Sequence, residues 1–221
     1  MLIRERQSTF KIFEPMTAFT DLLITFFTSI WAVSLMQIAQ ASQLLTHTHW
    51  SNAFWMTAVG GLLGAISHGI GPNLPAIVRT IIWRLTLIAI GWTAFFMLMG
   101  TLVYIPYAEQ IWWLKWLPVI FLIAFHIRLF IKDDFSVVIA FYVPVLAIVF
   151  ITYFYGYFVL ARMPAIYVII GIVISFSAAF IQQKKVGLHK HFNHNDLFHI
   201  IQLVGLYLIY IGVFNTSSIV E

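Results

Sequence analysis

Seven apolar runs, each close to the thickness of a bilayer core, leave this chain little choice of fold. They are Thr17–Leu44, Trp50–Ile70, Ala76–Tyr104, Trp113–Ile131, Phe135–Val159, Pro164–Gln182 and Asp196–Phe214. A helix needs about 20 predominantly apolar residues to cross the hydrocarbon region. Backbone polar groups there have no water to bond, so each run must satisfy its own by coiling into a helix. The breaks carry turn chemistry: Gly71-Pro72-Asn73, the charged Lys132-Asp133-Asp134, and Arg162-Met163-Pro164, where proline suits a first helical turn. The first run is too long for the core of a cleavable leader and reads as a retained span. No internal repeat and no long linker interrupts the series. The expected fold is an all-α, polytopic seven-transmembrane-helix bundle, with residues 1–221 forming one domain.

Charge usage agrees with this reading. Only 9% of the 221 residues are charged and 62% are apolar, whereas soluble domains carry roughly 25% charged residues. The net charge of +4 points to topology rather than to nucleic acid, because the basic residues fall between the apolar runs. Arg4, Arg6, Lys11, Arg79, Arg128, Lys132, Lys184, Lys185 and Lys190 share the side of the N-terminus, against Lys115 and Arg162 opposite. That bias makes the N-terminal side cytoplasmic. Trp50, Trp112, Trp113 and Trp116 mark the other interface as an aromatic belt. The absence of cysteine excludes disulfides, thiolate metal sites and a cysteine nucleophile.

Ionisable groups at membrane depth are costly and usually have a partner or a task. Here they gather in one leaflet. Ser67 and His68 end the second run, Arg84 lies about 12 Å into the third helix at 1.5 Å per residue, and His126 lies near the end of the fourth. Asp21 opens the first run, and His194, Asp196 and His199 open the seventh. Asp196 and His199 stand at i and i+3, about 60° apart on one helical face, while His194 would lie about 140° from His199. Asn193 or Asn195 is a candidate cap, with Asp196 complementing the helix dipole. Gln202 continues the face of His199. Arg84 is expected to snorkel to the interface or to pair with Asp21 or Asp196. Asp133 and Asp134 read as caps for the fifth helix. His47, His49, His189 and His191 fall in connections, where exposure is expected. No zinc-protease HExxH, phosphate-binding glycine loop or GxSxG elbow is present.

Seven spans, Ser67 and His68 at the cytoplasmic end of helix two, and the polar-histidine motif from His194 to His199 opening helix seven form a recognisable set. Together they resemble the alkaline ceramidase, progestin/adiponectin-receptor and Per1-like superfamily of seven-helix membrane hydrolases. That resemblance implies a zinc ion held by three histidines, here His68, His194 and His199. It implies a metal-bound water attacking an amide or ester carbonyl of a membrane lipid. On the residues of this chain, Ser67 with Arg84 would then polarise the carbonyl, and Asp196 would orient a ligand or accept the proton. The chain departs from the family pattern in three ways. Ser67 and His68 are adjacent, Asn195 stands where an HxxxH pair would place its first histidine, and helix three offers Arg79 and Arg84 in place of an aspartate. Asp21 and Asp196 are the candidates to replace that aspartate. The competing expectation is a non-enzymatic sensor or small-solute or proton carrier that uses the buried His/Asp/Arg cluster as a charge relay.

Overall fold

The computed structural model describes residues 10–105, 110–189 and 191–216. Within them the chain forms seven helices: α1 (Pro15–Ser42), α2 (Leu45–Gly69), α3 (Ala76–Tyr104), α4 (Trp116–Ile131), α5 (Phe135–Phe158), α6 (Ala165–Gln183) and α7 (His194–Phe214). A short 3-10 turn, Gly71–Asn73, joins α2 to α3. Among the topology-setting cations, Arg4, Arg6 and Lys190 lie outside the described residues.

Local chemistry accounts for the helix ends. Pro15 occupies the first turn of α1, where its missing N–H would be unpaired in any case. Asp134 caps α5 by accepting from the Ser136 amide at 2.7 Å. Asn193 caps α7 in a reciprocal box: its side chain accepts from the Asn195 and Asp196 amides, while Asp196 accepts from the Asn193 amide.

Five helices, α1, α3, α5, α6 and α7, are long and apolar enough to cross a membrane, which makes this a multi-pass membrane protein. The 25 residues of α2 are long enough, but His47, His49, Ser51 and Asn52 dilute their apolar character. α4 is apolar but has only 16 residues.

Packing follows a ring. α1 packs on α2, α2 on α3, α3 on α5, α5 on α6, α6 on α7, and α7 back on α1. α4 lies outside this ring, against α3 and α5. An aromatic cluster fills the interior toward the far end, with Trp31 stacked on Tyr210 at 5.6 Å and Tyr104 on Tyr153 at 4.4 Å. Arg162 closes that end, donating from Nη1 to the Tyr104 carbonyl at 2.6 Å.

One expectation fails here. α2 starts at Leu45, so His47 and His49 are helical instead of lying in an exposed connection. His47 is 1% exposed and donates from Nε2 to the Val213 carbonyl at 3.0 Å. The run Thr46-His47-Thr48-His49 looks like a polar loop in sequence. It is drawn into the helix because His47 finds an acceptor on α7.

α6 and α7 approach closely because two glycines face each other. A Cβ on Gly205 would stand 2.6 Å from Ser175 Oγ and 2.8 Å from the Gly171 carbonyl, inside contact distance. Small residues at such positions let membrane helices pack by backbone contact. Gly60, by contrast, has only ordinary neighbours at 3.9 Å. Gly205→Val should therefore destabilise the protein by about 1–3 kcal/mol through overpacking, while Gly60→Ala should have little effect. Thermal unfolding in detergent checks both.

Candidate functional site

α1 and α7 run parallel and are joined by two polar rungs. Thr17 Oγ1 donates to Asp196 Oδ1 at 2.8 Å, and Thr20 Oγ1 lies 2.9 Å from His199 Nδ1. The residue offset is the same in both rungs, so two i, i+3 pairs face each other in register. Asp21 follows Thr20 and completes the seam, with Oδ1 3.3 Å from His199 Nε2. Thr17, Thr20, Asp21, Asp196 and His199 are all buried.

A proton count describes the inner rung. The Thr20 hydroxyl is also placed to donate to the Thr17 carbonyl at 3.0 Å. If it does so, His199 Nδ1–H donates to Thr20, and the proton between Nε2 and Asp21 comes from the carboxyl or from a doubly protonated ring. If Thr20 donates to Nδ1, then Nε2–H donates to the Asp21 carboxylate. Either way, a hydrogen bond across the 3.3 Å between Asp21 Oδ1 and His199 Nε2 would need one proton between them. Asp21 Oδ2 is buried and has no hydrogen-bond partner. The carboxyl group lies flat on Gly64, where a Cβ would come within 3.0 Å of both oxygens.

The Asp21–His199 pair lines one end of a cavity of about 460 Å³ inside the helix ring. All six ring helices contribute to its wall, and α4 contributes nothing. Ser67, His68, Gln182 and Asn195 line it beside the pair, and apolar residues such as Ile90, Leu146 and Phe176 line the rest. From Asn195 to Leu206 on α7 the cavity is about 16 Å deep, at 1.5 Å per residue. Gln182 Nε2 donates to Asn195 Oδ1 at 3.2 Å. Gln202 Nε2 donates to Ser175 Oγ at 3.2 Å, so Gln202 does line the cavity but supports Ser175 instead of His199. At the rim, His68 Nδ1 lies 3.2 Å from Glu14 Oε2. The segment before α1 is held there by Phe13 and Glu14 amides donating to the Gly69 and His68 carbonyls.

Of the residues singled out from sequence, Ser67, His68 and His199 share the cavity, and Asp21 joins them. Asp196, Arg84 and His194 do not line it. Both carboxylate oxygens of Asp196 are taken, one by Thr17 and one by the Asn193 amide, so it holds α7 against α1. Arg84 pairs with neither Asp21 nor Asp196. Its Nε donates to Asp133 Oδ2 at 2.9 Å on the exposed side of α3. Asp133 thus ties α3 to the α4–α5 connection, beyond any capping role. His194 is the first residue of α7, about 140° around the helix from His199. His126 Nδ1 donates to the Leu122 carbonyl of its own helix at 2.8 Å.

Among the described residues, no group of three or more His, Asp or Glu side chains is gathered so as to hold a metal ion. The set His68, His194 and His199 does not fit zinc as arranged. His194 points from a different part of the helix, and both ring nitrogens of His199 already have partners. Sequence reasoning missed Thr17 and Thr20. The available signal was the pairing of Thr17-x-x-Thr20-Asp21 with Asp196-x-x-His199 across two helices of the same direction.

Residues 16–217 match a family whose description is "family of unknown function" (DUF6962), and the chain belongs to it. No curated protein and no solved structure matches the chain.

The outer rung makes a specific demand. Thr17→Val removes the donor to Asp196 and the acceptor of Asn193 Nδ2, which lies 3.3 Å from Thr17 Oγ1. This should cost about 1–3 kcal/mol by leaving a buried carboxylate oxygen unpaired, whereas Thr17→Ser should retain most of the stability. Thermal unfolding of the two variants separates a hydrogen-bonding role from simple space filling.

Proposed function

We propose that this protein is an intramembrane hydrolase of a lipid amide or ester, with seven spans and a cytoplasmic N-terminus, whose reaction chamber is the cavity inside the helix ring. The observation that carries the reading is a buried acid–imidazole pair, Asp21 and His199 at 3.3 Å, at one end of a mostly apolar cavity. Concave, mostly apolar sites with a few convergent polar groups suit an amphiphile, and the depth of about 16 Å suits the length of an acyl chain. The basic bias toward the end where α2 finishes and α3 and α7 begin supports the orientation.

In this reading Asp21, paired with His199, acts as general base through Oδ2, which has no hydrogen-bond partner. His199, held by Thr20, fixes the carboxylate, as a third group orients the base in nucleophile–base pairs generally. Asp21 takes the proton of a water, or of the Ser67 hydroxyl, as that oxygen attacks the substrate carbonyl. The proton then passes to the leaving nitrogen or oxygen as the carbonyl–heteroatom bond breaks; where Ser67 attacks, a water then releases the acyl group from it by the same route. His68, held at the rim by Glu14, is placed to relay protons to the aqueous side. Asn195 and Gln182 supply polar contacts to the part of the substrate nearest the rim. Zinc on His68, His194 and His199 remains the alternative implied by the resemblance. It would require His194 to reach the cavity and His199 to release a partner, so no step above is routed through a metal.

The test is turnover of acyl amides and acyl esters by the purified protein in nanodiscs. His199→Ala and Asp21→Asn should each lower kcat by about 10²–10⁴-fold, the usual contribution of general base catalysis, while Arg84→Gln should keep it within about threefold. Ser67→Ala separates a serine nucleophile from a water. Stoichiometric zinc that is lost in His199→Ala would return the nucleophile to a metal-bound water. Proton uptake into liposomes without any lipid turnover would favour the carrier instead.

A further inference from the structure

α4 stands outside the ring that builds the cavity, and a groove of about 640 Å³ runs between it and α5. Small side chains at Ala124 and Ala140 leave the trough, and Phe125, stacked on Phe141 at 4.9 Å, gives it an aromatic wall. Along α5 the groove runs from Ser136 to Pro144, about 12 Å at 1.5 Å per residue. It is apolar along this length and cationic at one mouth, where Arg128, Lys132 and Ser136 line it.

The charges at that mouth are poorly used by the protein. Among the described residues Arg128 has no carboxylate partner. Lys132 approaches Asp134 only at 3.9 Å, between two side chains more than half exposed, and such a pair contributes little. Asp134 turns instead to the Ser136 amide at 2.7 Å. Lys132 Nζ is also 3.4 Å from Ser136 Oγ, so two cations and a hydroxyl converge at the end of a helix pair. Arg84, by comparison, is committed to Asp133.

We propose that this groove is a binding site for one anionic phospholipid of the surrounding bilayer, its phosphate between Arg128 and Lys132 and one acyl chain laid along the groove toward Pro144. Guanidinium suits phosphate oxygens through paired N–H groups, and an ammonium adds a point charge. Basic pockets between membrane helices are placed to hold acidic headgroups. The site is separate from the cavity, to which α4 adds no residue.

Native mass spectrometry and thermal unfolding of the purified full chain, with added phosphatidylglycerol or phosphatidylcholine, test this. Phosphatidylglycerol should be retained at one per chain and should raise Tm, since a ligand that binds only the folded state stabilises it. Phosphatidylcholine should do neither. R128Q/K132Q should weaken phosphatidylglycerol retention roughly 25-fold, two cations each contributing about a factor of five near a membrane surface. R128K/K132R should keep it, and K184Q/K185Q, elsewhere on the same side, should leave it unchanged. A140W fills the trough with the charges intact and should also lose the lipid. Equal effects of the two lipids, full retention in R128Q/K132Q, or an equal loss in K184Q/K185Q would overturn the proposal. So would a dimer, in phosphatidylglycerol-free detergent, that A140W disrupts.

Discussion

The seam between α1 and α7 is the interaction on which the rest depends. Helices distant in sequence are brought into parallel register by Thr17 with Asp196 and Thr20 with His199. Closing the ring in this way encloses the cavity and places a carboxyl and an imidazole inside it. A buried ionisable group in a membrane protein is stable only when its partners are supplied. The outer rung satisfies Asp196 completely. The inner rung leaves one oxygen of Asp21 unpartnered. That difference separates a structural carboxylate from one available for chemistry.

Glycines set how near the helices come. Gly64 lets the Asp21 carboxyl lie against the α2 backbone, and Gly171 with Gly205 brings α6 onto α7. Gly64 lines the cavity wall, so a small residue that tightens the bundle also shapes the chamber. α4 obeys the same constraint, since a Cβ on Gly91 of α3 would clash with the Phe125 ring of α4. It lies outside the ring, and its groove against α5 has a pair of cations at its mouth.

Much of the fold could be read from the chain. The third helix was expected at Ala76–Tyr104 and is found there, because a turn signal and a proline bracket a long apolar run. The fourth starts at Trp116 rather than Trp113, and α2 starts five residues earlier than its apolar run suggests. Hydropathy marks where lipid begins, whereas helix ends depend on partners such as the Val213 carbonyl for His47. The site was legible as a leaflet and as Ser67, His68 and His199. The partners were not. Asp196 and His199 do share a face, but that face meets threonines, which sequence patterning treats as neutral in a membrane helix. Arg84 was expected to snorkel to the interface or to pair with Asp21 or Asp196. Its pairing with Asp133 depends on where the α4–α5 connection folds back, and no local pattern encodes that.

The central claim is that Asp21 and His199 act as one unit. The most direct measurement is a double-mutant cycle on turnover with Asp21→Asn, His199→Ala and the pair combined. Groups that act as a unit are strongly non-additive, so the double variant should lose no more activity than the weaker single one. Losses that multiply would show two independent contributions and contradict the account.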